Sequence, residues 1–235
     1  MSPLEPVAYL DGDNELTGWL ARPEDAPRAA ILIFPTIANS TPAVERRAEM
    51  LASLGYLALI AEFYGEPVTD FAAAGPLAEA LRSDVDRYRR RISAAVDALR
   101  TLPEAAGLPM AAIGYCMGGQ AALEAARSGH ALLAAVSFHG ILTTDRAAEP
   151  GAIRARILVC HGDADPLVPR EQVLTFWDEM DAAGGNWHFH AYSGVKHGFT
   201  DPGSDVRGLP AIGYNASADR QSWAAMIGLF NEILS

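Results

Sequence analysis

The chain has 235 residues, half of them apolar, and carries 18 Lys and Arg against 29 Asp and Glu, a net charge of −11. That length fits one α/β domain spanning 1–235 with a large core, and the acidity argues against DNA, RNA and anionic membrane surfaces as partners. Two cysteines, Cys116 and Cys160, make no disulfide framework; with no signal-peptide pattern at the start and no apolar run near the roughly 20 residues of a membrane span, a cytoplasmic setting is expected.

Residues 7–10 and 15–21 flank the turn "DGDN" and read as a hairpin. "AAILIFP" (29–35) is a continuous apolar run, the pattern of a strand buried on both faces. A helix follows, with Thr41 as cap, Pro42 in its first turn, and Val44, Ala48, Leu51 and Leu54 on one face. A second buried strand spans 55–63, and Gly65, Pro67, Gly75 and Pro76 make 64–76 a loop. One long helix is expected over 77–101, its charged middle "RSDVDRYRRR" forming a solvated face. Strands at 110–116, 132–140, 155–162 and 186–192 alternate with helices at 118–129, 170–183 and 217–234. The segment 201–216 is loop-like and able to cover a cleft. This alternation predicts a mostly parallel central sheet with helices on both faces.

In such a sheet, ligands bind beyond the carboxyl ends of the strands. The strand 110–116 ends in "GYCMGG", a G-x-C-x-G with the form of a nucleophile elbow. Its glycines permit a tight strand-to-helix turn that presents the Cys116 sulfur over the first turn of a helix. Unpaired N–H groups there favour a thiolate, and the Met117 N–H faces the place where an oxyanion would form. The strand 155–162 leads into "CHGDADPLVP", which offers two carboxylates able to orient a histidine. Asp163 directly after Gly162 suits a turn role, so Asp165 is favoured. The last strand leads into "YSGVKHGFTD" with His197. The order Cys, Asp, His is the chain order of the α/β-hydrolases.

On "GYCMGG", "HGDADPLVP" and "KHGF", together with "LGYLALIAEFYG" and the closing "GYNASADRQSWAAMIGLFNEIL", the sequence resembles the dienelactone hydrolase family, a cysteine-bearing branch of the α/β-hydrolases, over nearly its whole length. The resemblance implies an α/β-hydrolase fold, a Cys116–His197–Asp165 triad, no cofactor, and hydrolysis of small esters or lactones. Members that open dienelactones carry a glutamate after the first buried strand, where Thr36 stands here; this counts against substrate-triggered activation of the thiol. Thr36 could instead donate a hydrogen bond, and the Ile37 N–H would complete the oxyanion site. Those members also carry an arginine a few residues after the histidine, where Asp201 stands here. That disfavours a small dicarboxylate-like lactone and leaves Arg82 as a substitute cation.

Among further candidates, Glu62 lies just beyond its strand and suits a loop hydrogen bond or the site, and Tyr64 and Phe199 could line an apolar pocket wall. His139 and His161 end strands near the cleft, where either could line the pocket, with packing the simpler role. "HFH" at 188–190 lacks a third ligand for a metal, and Cys160, inside an apolar strand, reads as core. The expected partner is a small-molecule ester or lactone; the sequence sets no oligomeric state. Two other classes compete with a hydrolase: non-catalytic binding of a small molecule on the same scaffold and redox sensing through Cys116.

Overall fold

The computed structural model describes residues 4–234. Met1–Pro3, which open the amino-terminal segment read above, and Ser235 lie outside the described residues. The hairpin forms as β1 (Glu5–Asp11) and β2 (Asn14–Ala21), and the buried apolar runs become β3 (Ala29–Phe34), β4 (Tyr56–Ile60), β5 (Met110–Tyr115), β6 (Ala134–Phe138), β7 (Arg156–Gly162) and β8 (Asn186–Tyr192). They make one eight-stranded sheet in the order β1-β2-β4-β3-β5-β6-β7-β8. β1, β2 and β4 pair antiparallel; β4, β3, β5, β6, β7 and β8 pair parallel.

The continuous apolar runs exist because side chains alternate between two buried faces. In β3, Ala30, Leu32 and Phe34 enter one core cluster, while Ala29, Ile31 and Ile33 enter the other. The first cluster is closed by α3 (Val85–Arg100), α4 (Met117–Arg127) and α5 (Arg170–Ala182), through residues such as Ile92, Ala121 and Phe176. The second is closed by α1 (Pro42–Ser53) and α6 (Ala216–Ile233), through Val44, Leu51, Met226 and Phe230. Thr41 caps α1, accepting the Val44 N–H, with Pro42 at its first position. Leu54, expected on the buried face of α1, instead follows the helix as its C-cap and is exposed.

α4 is buried along its whole length, so its polar groups must be paired internally. Arg127 binds Glu124 at 2.9 Å, Glu179 at 2.7 Å and the Leu142 carbonyl at 2.7 Å, and Arg89 reaches Glu124 at 2.8 Å.

The expected helix over 77–101 is two helices, and the expected loop 64–76 is partly helical: α2 (Phe71–Arg82) precedes α3. Two aspartates cause this. Asp70 accepts the Ala73 N–H at 2.8 Å, and Asp84, extended at φ −120°, accepts the Arg87 N–H at 3.0 Å. Each is an N-cap that starts a new helix. Pro76 sits inside α2 on its exposed side. Nor is the charged run purely solvated. Arg91 is 1 % exposed and bonds Asp11 and the Phe63 carbonyl, and buried Tyr88 donates to the Met117 carbonyl at 3.0 Å.

Going from β3 the chain passes to β4 on one side and later to β5 on the other. The ends of β3 and β5 therefore diverge into a crevice, the place where open α/β sheets hold ligands. Among the described residues no helix is long and apolar enough to cross a membrane.

Candidate active site

The crevice is built around a backbone constraint. Gly114 and Gly118 lie where β5 turns into α4: a Cβ on Gly114 would meet the Gly118 carbonyl oxygen at 1.8 Å, and one on Gly118 would meet the Phe34 carbonyl oxygen at 2.0 Å. Between them Cys116 takes φ 57° and ψ −121°, left-handed backbone that non-glycine residues rarely adopt. Its N–H is shared between the Phe138 carbonyl at 3.1 Å and His139 Nδ1 at 3.2 Å. Cys116 is partly exposed, at the floor of a cavity of about 560 Å³ lined among others by Ile37, Arg82, Met117, Ile141, Leu167 and His197.

The two carboxylates of the β7 loop separate cleanly. Asp163 turns outward and forms a forked ion pair with Arg170, at 2.9 and 2.7 Å. Asp165 is 3 % exposed; one oxygen accepts the Leu167 N–H at 2.8 Å and the other meets His197 Nδ1 at 2.7 Å. The His197 loop is pinned through its backbone, with the His197 N–H bonded to the Ala211 carbonyl and its carbonyl accepting the Gly213 N–H. That pairing ties part of the 201–216 segment to the His197 loop, but no residue of that segment is among those lining the cavity.

Burial raises the pKa of the Cys116 thiol, but the His197 imidazole and hydrogen bonds from the Met117 and Ile37 N–H groups bring it below its ordinary value. Burial likewise opposes a charge on His197, yet Cys116 and the Asp165 carboxylate raise its pKa to about 10. The two shifts favour the same microstate, a thiolate beside an imidazolium. Among the described residues His197 Nε2 has no hydrogen-bond partner of good geometry, and Cys116 acts on the ring chiefly through its charge.

The other candidates fall into place unevenly. Arg82 lines the cavity, with its Nε bonded to Gln120 Oε1 at 2.7 Å. Thr36 does not line it. Its side chain folds back onto the tight 36–39 turn, where Oγ1 accepts the Ala38 N–H at 3.2 Å, and it borders a small separate cavity with Arg47, Tyr115, His139 and Thr200. Glu62 is a loop organiser: it accepts from Asn39 Nδ2, the Tyr64 N–H and the Gly65 N–H, and it faces a different groove. Tyr64 is a buttress, its hydroxyl donating to the Ile37 carbonyl at 2.8 Å. Phe199 is fully buried, packed edge-on against His139 and Tyr192, because Gly198 at φ 70° turns the chain inward there. Asp201 caps a 3₁₀ turn and binds Arg207. His139 and Thr200 are joined at 2.8 Å; sequence reasoning gave His139 a packing role and did not single out Thr200. The signal was only that a histidine ends β6 beside the elbow strand.

The model of the dienelactone hydrolase family matches residues 16–234. A crystal structure of a dienelactone hydrolase-like promiscuous phosphotriesterase from metagenomic libraries is 37 % identical, with a TM-score of 0.93 and 99 % of each chain covered. The "Probable 2-oxo-3-(5-oxofuran-2-ylidene)propanoate lactonase" of Bradyrhizobium sp is 26 % identical over 91 % of this chain and 87 % of its own length. The carboxymethylenebutenolidase homolog of Mus musculus is 26 % identical over 75 % of this chain and 72 % of its own. The sheet and its flanking helices are those of the α/β-hydrolase fold. With this fold and these relatives, the chain belongs to the dienelactone hydrolase family and is a hydrolase of small-molecule esters or lactones.

Proposed function

We propose that the chain hydrolyses its substrate through a Cys116–His197–Asp165 triad and a thioester intermediate. The observation that carries this reading is the buried 2.7 Å bond from Asp165 to His197, which lines the same cavity as the partly exposed Cys116. The Cys116 thiolate attacks the carbonyl carbon, and negative charge moves from sulfur to the carbonyl oxygen. The Met117 and Ile37 N–H groups are the donors for that oxyanion. As the tetrahedral intermediate collapses, the C–O bond breaks and the alcohol leaves with the proton of His197. Neutral His197 then takes a proton from water, whose hydroxide adds to the thioester. The acid departs and the thiolate–imidazolium pair re-forms. Asp165 holds the tautomer of His197 and stabilises its charged form.

A thiolate is both a strong nucleophile and a good leaving group, which suits an activated ester or a strained lactone better than an amide. Arg82 on one wall of the cavity and apolar Ile37, Ile141 and Leu167 on the others suit an apolar acyl group that can carry an anion. We infer too that residues 1–235 work as one α/β-hydrolase domain, since the three residues hang from strands of one continuous sheet.

The test is turnover of p-nitrophenyl acetate and a panel of small lactones by wild type and Cys116→Ala, with intact mass recorded during turnover. The expected result is turnover by wild type only, with an acyl group mapped to Cys116. Equal turnover by both proteins, or none by wild type, would sink the reading. A phosphotriester belongs in the same panel, because the similar metagenomic protein is described as a promiscuous phosphotriesterase.

The charge state sets a pH signature. A lowered thiol pKa keeps the thiolate present below the ordinary thiol value of about 8.5. Iodoacetamide should therefore alkylate Cys116 rapidly at neutral pH. Turnover should fall in acid as the thiolate takes up a proton, and again near pH 10 as His197 loses its own.

A further inference from the structure

His139 is used more fully than a packing residue needs to be. It is 2 % exposed and lies at φ 40°, a left-handed conformation uncommon outside glycine and asparagine. Both ring nitrogens are engaged. Nδ1 accepts the Cys116 N–H at 3.2 Å, so the ring proton sits on Nε2, which reaches Thr200 Oγ1 at 2.8 Å. Thr200 lies three residues beyond His197 on the same loop. The ring also stands edge-on to the His197 ring, with centroids 5.2 Å apart.

These contacts join the two halves of the site by a route separate from the Asp165–His197 bond. One end holds the N–H of a strained cysteine, and the other holds the loop that carries the base. We propose that His139, fixed by Thr200 as its neutral Nε2–H tautomer, is a positioning residue that sets how closely the Cys116 sulfur and the His197 imidazole are coupled. This inference rests on the triad reading above. A protonated His139 would turn an N–H toward the N–H of Cys116 and set a second cation against His197. The groups around it oppose that state: burial and the neighbouring His197 hold its pKa well below the ordinary value, with Arg47 from α1 adding to the effect. Tyr115 of β5 and Asp201 border the same small cavity.

The test uses His139→Leu, which removes the acceptor and the ring, and His139→Asn, which keeps a short acceptor and tolerates left-handed backbone. Thr200→Val removes only the hydroxyl partner, and Thr200→Ser restores it. The pH midpoint of Cys116 alkylation, read by intact mass, needs no substrate. His139→Leu and Thr200→Val should raise that midpoint by about one pH unit. They should also lower kcat about tenfold with KM within about threefold, while Asn and Ser return most of both. A ¹⁵N spectrum of the wild type should show His139 protonated at Nε2.

The proposal is overturned if folded Thr200→Val and His139→Leu alkylate with the wild-type midpoint, or if the proton is found on Nδ1. If His139→Leu does not fold, Thr200→Val and the wild-type spectrum decide. Failure of the triad reading shows elsewhere: Cys116→Ala would keep its turnover whatever the alkylation midpoints do.

Discussion

The turn at Cys116 and the rim formed by residues 75–83 enclose the same cavity and are built in opposite ways. At the turn there is no room for a Cβ: Gly118 lies against the Phe34 and Pro35 carbonyls, and Gly119 against the Ser137 hydroxyl and the backbone of Gly140. At the rim, α2 is a short helix with exposed Ala72, Ala73 and Glu79, held by caps and by the Arg82–Gln120 bond. Where no side chain can be added, close packing fixes the backbone, which suits bond making. Where one face is solvent, side chains can be exchanged and the acyl group selected.

The sharpest way to break this contrast is one substitution at two glycines. Gly118→Ala places a methyl 2.0 Å from the Phe34 carbonyl oxygen. It should destabilise the protein by about 3 kcal/mol or more and abolish turnover, read by urea unfolding and by p-nitrophenyl acetate assay. Gly75→Ala in α2 meets nothing within 4 Å and forms the small end of the series below. A Gly118→Ala protein with wild-type stability and activity would show that the turn is softer than its packing implies.

Next in size are the two loop aspartates. Asp165→Asn should lower kcat roughly 10²–10⁴-fold, while Asp163→Asn, which loses only an exposed pair with Arg170, should stay within about twofold. Equal losses would move the orienting role away from Asp165.

On the rim, Arg82→Ala should reduce kcat/KM about tenfold for an ester bearing a carboxylate, the scale of one charge-assisted hydrogen bond. A neutral ester should be turned over as before. An equal loss on both esters would mean that Arg82 shapes the wall through Gln120 instead of binding charge. Smallest is Gly75→Ala, which should stabilise by about 0.5–1 kcal/mol, checked by a shift in Tm.

The parts legible in the sequence are those whose meaning is carried by backbone order. The glycines around Cys116 announce a turn, the apolar runs announce strands buried twice, and the order Cys116, Asp165, His197 survives whatever the loops do. The parts that were not legible depend on where a side chain points after a tight turn. Thr36, Tyr64 and Phe199 each stand within two residues of a glycine or a strand end, and a small change in φ sends each to a different neighbour. Thr36 folds onto Ala38, Tyr64 reaches Ile37, and Phe199 enters the core. The break between α2 and α3 was hidden for another reason. Asp84 as a cap and Asp86 as a surface charge are the same residue two positions apart, and only the extended backbone at Asp84 distinguishes them. Arg91 was hidden likewise, since a buried arginine and a solvated one share a charged helix and differ in the partners the tertiary fold brings.

Cys160 gives the chain a practical property. It is fully buried in β7 with its thiol pushed up to about 12 by burial, while the other cysteine, Cys116, lines an open cavity as the more acidic thiol. In a native sample, a limiting amount of a mild alkylating agent should thus partition almost wholly to one atom. Moles of label per mole of chain would then report the fraction of molecules with an intact, reduced site, and any preparation could be put on an absolute per-site scale before its rate constants are compared.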